Sequence, residues 1–171
     1  MFHRVTSTRF VLPGSSMSQT TTVAVADGIF AITDGHPRLL GTRCTGCGNH
    51  MFPRQNGCPK CMSDVQEDVE LATDGTLWSW TVQAFPPKAP PYLGPVGEAF
   101  VPYGVGYVEL AGQVRVEARL TESDPNKLVI GMKMHLVLEP LCIDGDGNQV
   151  VTYAFAPSDA PQGDIMSKDP S

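Results

Sequence analysis

Four of the five cysteines in this chain fall within eighteen residues, in the stretch RCTGCGNHMFPRQNGCPKCM over 43–62. They form two Cys-x-x-Cys pairs, Cys44/Cys47 and Cys58/Cys61, ten residues apart. This spacing limits what the segment can become. A tight turn brings the two thiolates of one pair to a point, and two such pairs complete a tetrahedron around Zn²⁺. The flanking residues suit such turns. Gly46 and Gly48 surround Cys47, while Gly57 and Pro59 flank Cys58. Disulfides compete for the same cysteines, but they belong to exported chains, and MFHRVTSTRFVLPGSS lacks the continuous apolar stretch of a secretory signal. Iron in a rubredoxin-like site is the sharper rival, because thiolate tetrahedra suit both metals. A labile cysteine pair without metal is the plainer one. A closed four-thiolate site leaves no position for water or substrate, so the metal is expected to be structural. His50 and His36 are then surplus and are expected to be solvated.

Charge falls unevenly around this segment. The chain carries a net charge of −6. Residues 36–60 hold Arg38, Arg43, Arg54 and Lys60 and no carboxylate, which leaves −10 for the remainder. An acidic chain is a poor general binder of nucleic acid, because neutralising phosphates takes clustered Lys and Arg. No apolar run is long enough to span a membrane, and with no export signal the expected location is the cytoplasm.

Beyond the cysteines, period-2 alternation dominates. QVRVEARL (113–120) places Val114, Val116, Ala118 and Leu120 on one face and Arg115, Glu117 and Arg119 on the other. MKMHLVLE (132–139) repeats the pattern with Met132, Met134, Leu136 and Leu138 inside, and His135 on the polar face as a solvated residue. FVPYGVGYVEL (100–110) sets Val101, Tyr103, Val105 and Tyr107 against Gly104 and Gly106, a pair that suggests a bend or a close backbone approach. TLWSWTV (76–82) reads as a strand whose tryptophans belong to a core, and QVVTYAF (149–155) is the last strand. DGDGN (144–148) lacks the Gly and Glu of an EF-hand loop and reads as a hairpin turn. About five strands and no long helical pattern predict a mainly β chain with a small barrel or sandwich.

The expected organisation is a disordered leader over 1–22, an N-terminal segment over 23–37, a zinc ribbon over 38–68, a barrel over 69–156 and a disordered tail over 157–171. Between strands, FPPKAPPYLGPVGE (85–98) holds five prolines and exposed-looking Tyr92 and Leu93. Loops this long are usually functional or disordered. No nucleophile elbow, phosphate loop or nucleophile–base spacing stands out, and Cys142 reads as a small apolar strand residue.

LLGTRCTGCGNHMFPRQNGCPKC, with its run Phe52, Pro53, Arg54, is followed by PYGVGYVEL and LVIGMKMHLVLEP. In that order these segments resemble the DUF35 family, acyl-CoA-associated OB-fold proteins with a rubredoxin-like zinc ribbon. The resemblance covers roughly 28–156, and the loop 85–98 departs from it in length and proline content. It implies a rubredoxin-like ribbon followed by a five-stranded OB-fold barrel. It also implies a non-catalytic accessory subunit in a hetero-oligomer with a thiolase-superfamily enzyme (a thiolase or a lipid-transfer-protein-like aldolase), supporting that enzyme's acyl-CoA site in sterol side-chain or fatty acyl-CoA breakdown. Stand-alone acyl-CoA binding is the alternative, and single-stranded nucleic-acid binding through Tyr103 and Tyr107 a weaker one. Two accounts of Arg38, Arg43, Arg54 and Lys60 stay open: contacts to CoA phosphates, or local compensation of a zinc–tetrathiolate centre and an acidic barrel.

Overall fold

The computed structural model describes residues 21–90 and 92–159. The expected leader and tail lie almost wholly outside the described residues. Ten strands follow in order: β1 (Thr22–Ala24), β2 (Phe30–Thr33), β3 (His36–Cys44), β4 (His50–Met51), β5 (Gln66–Glu70), β6 (Asp74–Gln83), β7 (Tyr103–Glu109), β8 (Arg115–Leu120), β9 (Lys133–Ile143) and β10 (Gln149–Pro157). Among the described residues the only helical piece is a 3₁₀ turn at Gly97–Ala99.

The last five strands close on themselves. β6 pairs with β7, and β7 with β8, both antiparallel. β8 pairs in parallel with β10, which returns antiparallel to β9, and β9 closes the ring onto β6. This is the five-stranded OB-fold barrel that the alternation and the resemblance anticipated. The inward positions of β8 match the sequence pattern, with Val116, Ala118 and Leu120 buried. The DGDGN hairpin is also as expected. Its tip is held by the Asp144 carboxylate, which accepts from the N–H groups of Asp146 (3.0 Å) and Asn148 (2.8 Å).

Gly104 and Gly106 are on the buried face of β7, where the chain has to approach its neighbours closely. A Cβ at Gly104 would run into the Glu122 carbonyl, and one at Gly106 would lie 2.8 Å from the Ser79 carbonyl. A side chain at either position would force the neighbouring backbone to shift.

Two sequence expectations need correction here. The register slips between Leu77 and Ser79, which face Val108 and Tyr107 on β7. The extra residue of this bulge is Trp78. Leu77 therefore takes the core position, and Trp78 stands outside, 47% exposed. Trp80 alone of the two tryptophans packs partly against the core. His135 is not freely solvated either. It lies on a strand paired on both sides, opposite Ala156 and Asp74, and its Nε2 is shielded without a hydrogen-bond partner.

β1 adds to the barrel sheet, parallel to β10, while β2 to β5 form a second sheet in which β3 pairs with β2, β4 and β5. Apart from the small buried cluster of Cys44, Met51 and Cys58, this sheet shares its apolar interior with the barrel. Leu39 and Leu71 join Leu77, Val108 and Phe155 in one buried cluster, and the Leu71 N–H donates to the Leu39 carbonyl at 2.9 Å. Phe52 meets Tyr153 of β10 edge-on, with 5.6 Å between ring centres. The ribbon is thus mounted on the barrel through shared side chains.

Candidate metal centre and exposed barrel face

Each cysteine pair sits in the same kind of turn. In the first, Gly48 N–H donates to the Cys44 carbonyl (2.9 Å) and the chain turns through Gly48 at φ 72°. In the second, Met62 N–H donates to the Cys58 carbonyl (2.9 Å) with Met62 at φ 61°. The sequence offered Gly57 as the flexible residue of the second turn, yet the left-handed position falls on Met62. Glycine takes that conformation at no steric cost, and a methionine does so under local strain.

These turns bring all four sulfurs together. Their ligand atoms lie within 4.8 Å of one another, with Cys44 Sγ 3.5 Å from Cys61 Sγ and Cys47 Sγ 3.6 Å from Cys58 Sγ. A disulfide requires about 2 Å. A tetrahedron of Zn–S bonds near 2.3 Å has edges of about 3.8 Å, so the donor set fits one tetrahedral ion. The charge environment fits as well. Burial works against a Cys44 thiolate, but the N–H groups of Cys47 and Gly46 and the neighbouring thiols outweigh it and bring its pKa down to about 6. Burial likewise opposes ionisation of Cys58, where the N–H groups of Cys61 and Lys60 prevail. At Cys61 the Ser63 N–H favours the thiolate, while the three other thiols and burial push it up to about 12. Four negative sulfurs at this separation need a cation between them. Among the described residues no other cluster of His, Cys, Asp or Glu has this geometry. His50 and His36 lie on β4 and β3, outside it.

The basic residues of the ribbon are largely engaged by β5, a strand the sequence reading did not single out. Arg43 meets Glu67 at 2.7 Å, Arg54 meets Asp68 at 3.2 Å, and Arg38 lies 4.0 Å from Glu70. Lys60 forms no ion pair with the described residues. The pairing follows from register, since Arg43 lies directly opposite Glu67 and Leu40 opposite Glu70. QEDVE, with Val69 as its single apolar residue, carries no period-2 signal that would have revealed it.

On the barrel, the outer face of β6, β7 and β8 carries rings and guanidinium groups in contact. Arg115 lies over the Trp78 ring at 4.1 Å and pairs with Glu109 at 3.0 Å. Arg119 lies over the Tyr103 ring at 4.0 Å, with its Nε 3.5 Å from Glu139. Tyr107 donates to Glu117 at 2.7 Å and meets Trp78 edge-on. A shallow cleft of about 320 Å³, lined by Tyr103, Val105, Glu117, Arg119 and Tyr153 among others, opens on this side. Beside it, the proline-rich loop exposes Phe85 (77%) and Val101 (75%), with Leu93 and Val96. Tyr92, expected to be exposed, is half-buried over Gly94.

Two family models match in tandem: "ChsH2, rubredoxin-like zinc ribbon domain" over 35–66 and "ChsH2, C-terminal OB-fold domain" over 68–139. A DUF35 domain-containing scaffold protein of Methanocaldococcus jannaschii is 30% identical over 118 residues, covering 68% of this chain and 78% of that protein. The chain belongs to the DUF35 family. This DUF35 protein is also 30% identical over 130 residues to the benzoylsuccinyl-CoA thiolase subunit BbsA of Thauera aromatica, covering 75% of this chain and 83% of BbsA. Among solved structures, a chain of the Ltp2-ChsH2(DUF35) aldolase superposes with a TM-score of 0.51 at 32% identity, covering 71% of this chain and 85% of that one.

Proposed function

We propose that this DUF35 protein is a non-catalytic accessory subunit of a thiolase-superfamily enzyme. The observation that carries the reading is its likeness, over most of both chains, to a named thiolase subunit and to a chain of a named aldolase complex. The structure supports it in kind. The four sulfurs surround one closed position, with no room for a substrate on the ion. Cys44, Cys47, Cys58 and Cys61 would hold a structural Zn²⁺, whose role is to fold the ribbon and not to activate water.

The acyl-CoA role stays within this reading as support of the partner's site. Direct phosphate contacts by the ribbon arginines draw little support from their geometry, since Arg38, Arg43 and Arg54 already face Glu70, Glu67 and Asp68. Local charge compensation explains them better. The weaker nucleic-acid reading also loses ground. A stacking platform needs open ring faces and a basic groove, whereas Arg115 and Arg119 cover Trp78 and Tyr103, and Glu109, Glu117 and Glu139 stand beside them.

A tagged, zinc-replete preparation drawn from its native lysate tests the proposal. Retention of a thiolase-superfamily enzyme in near-equal amount is the expected result, with no acyl-CoA turnover by the isolated chain. A preparation that cleaves or condenses acyl-CoA without a partner would overturn it.

A further inference from the structure

Within that reading, we infer that the partner enzyme docks on the outer face of β6–β7–β8 and the adjoining proline-rich loop, with Trp78 as the anchor. The starting point is the β-bulge. It turns one of the two tryptophans of β6 away from the core, beside the fully buried Leu77. An outward tryptophan is costly to leave in water, and here it is held in place. Arg115 lies flat on its ring, Tyr107 meets its edge, and Glu109 fixes Arg115. Trp, Tyr and Arg are the residue types that dominate binding energy at protein interfaces, most of all when packing fixes them in advance.

The apolar surface continues from this anchor in both directions. Gly131 N–H donates to the Leu77 carbonyl at 2.8 Å, which sets exposed Val129 and Ile130 at the Trp78 end. At the other end, Phe100 meets the Tyr103 ring edge-on, and the loop presents Phe85 and Val101. From Trp78 to Gln83 the strand covers about 17 Å, so anchor and loop together span a width suited to a protein surface. Exposed apolar area of this extent marks an interaction site more often than a free surface.

Charge indicates what the partner presents. Residues 69–156 hold ten Asp and Glu against five Lys and Arg. The complementary surface is an apolar patch with a basic rim on the enzyme. The ribbon is a poorer candidate, because its arginines are engaged by β5.

Titration calorimetry tests this with the full zinc-loaded chain and the recombinant thiolase-superfamily enzyme that co-purifies with it. Trp78→Ala is expected to weaken binding by about 30-fold or more, and Phe85→Asp by at least about 10-fold. Val65→Asp, at an exposed position just ahead of β5, serves as the control and leaves affinity unchanged. All three positions are substantially exposed, and unchanged zinc content and melting temperature show that the variants fold. Wild-type affinity in both barrel-face variants overturns the assignment of this face while leaving the accessory role standing. Failure of the wild-type chain to bind any thiolase-superfamily enzyme overturns the role itself. A wild-type dimer in sedimentation that Trp78→Asp dissociates would assign the face to a second copy of this chain and overturn the choice of occupant.

Discussion

Ribbon and barrel reach their folds by different means within one chain. In the barrel, order comes from apolar area: Phe155, Leu77, Val108 and Met134 are fully buried inside a closed ring of strands. In the ribbon, Cys44, Met51 and Cys58 form a separate buried cluster too small to support a sheet. That sheet depends instead on four sulfurs gathered at one point and on Leu39 and Leu71, which it shares with the barrel. The lesson is that the two halves differ in what stabilises them and yet are not independent.

The largest effect should come from the metal ligands. Structural zinc contributes about 10–16 kcal/mol to small zinc domains, so Cys58→Ser should remove the ion and melt the ribbon. Metal analysis together with hydrogen exchange of β3 and β5 would check this, and full zinc retention in the variant would remove Cys58 from the ligand set. The barrel amides report how separable the halves are. Next comes the shared core. Leu71→Ala should cost about 2–5 kcal/mol and lower protection in both sheets, where a loss confined to one sheet would deny the coupling. Gly104→Ala should cost about 1–3 kcal/mol in urea unfolding, since the new methyl meets the Glu122 carbonyl. An unchanged midpoint would mean that β7 can shift to make room. The smallest effect belongs to the surface ion pairs. Arg43→Gln should change stability by no more than about 1 kcal/mol, less still at high salt, and should leave zinc content untouched. Loss of the ion in that variant would restore a role for the basic residues in holding the centre.

Much of this was legible in the chain itself, and the reasons are local. Cysteine spacing specifies a sulfur cluster because the turn that joins each pair is short enough to leave few alternatives. Val116, Ala118 and Leu120 announced their face because a strand repeats every two residues. The misreading at Trp78 has the opposite origin. A bulge inserts one residue, so the alternation that identified the strand named the wrong face, and only the pairing of Leu77 with Val108 reveals it. The carboxylates opposite the arginines were hidden for a similar reason, since contact between β3 and β5 is set by register across some twenty-five residues of chain and not by neighbours in sequence. His135 escaped because the polar face of β9 is flanked on both sides, which a single strand cannot tell.

The arginines laid over Trp78 and Tyr103 have a kinetic consequence. Side chains of this size, free in solution, give up about 0.5–1.5 kcal/mol each when a complex immobilises them. Here folding has already fixed two rings and two guanidinium groups. A molecule that settles on this face therefore meets a nearly rigid surface, and the advantage should show in how long it stays and not in how quickly it arrives.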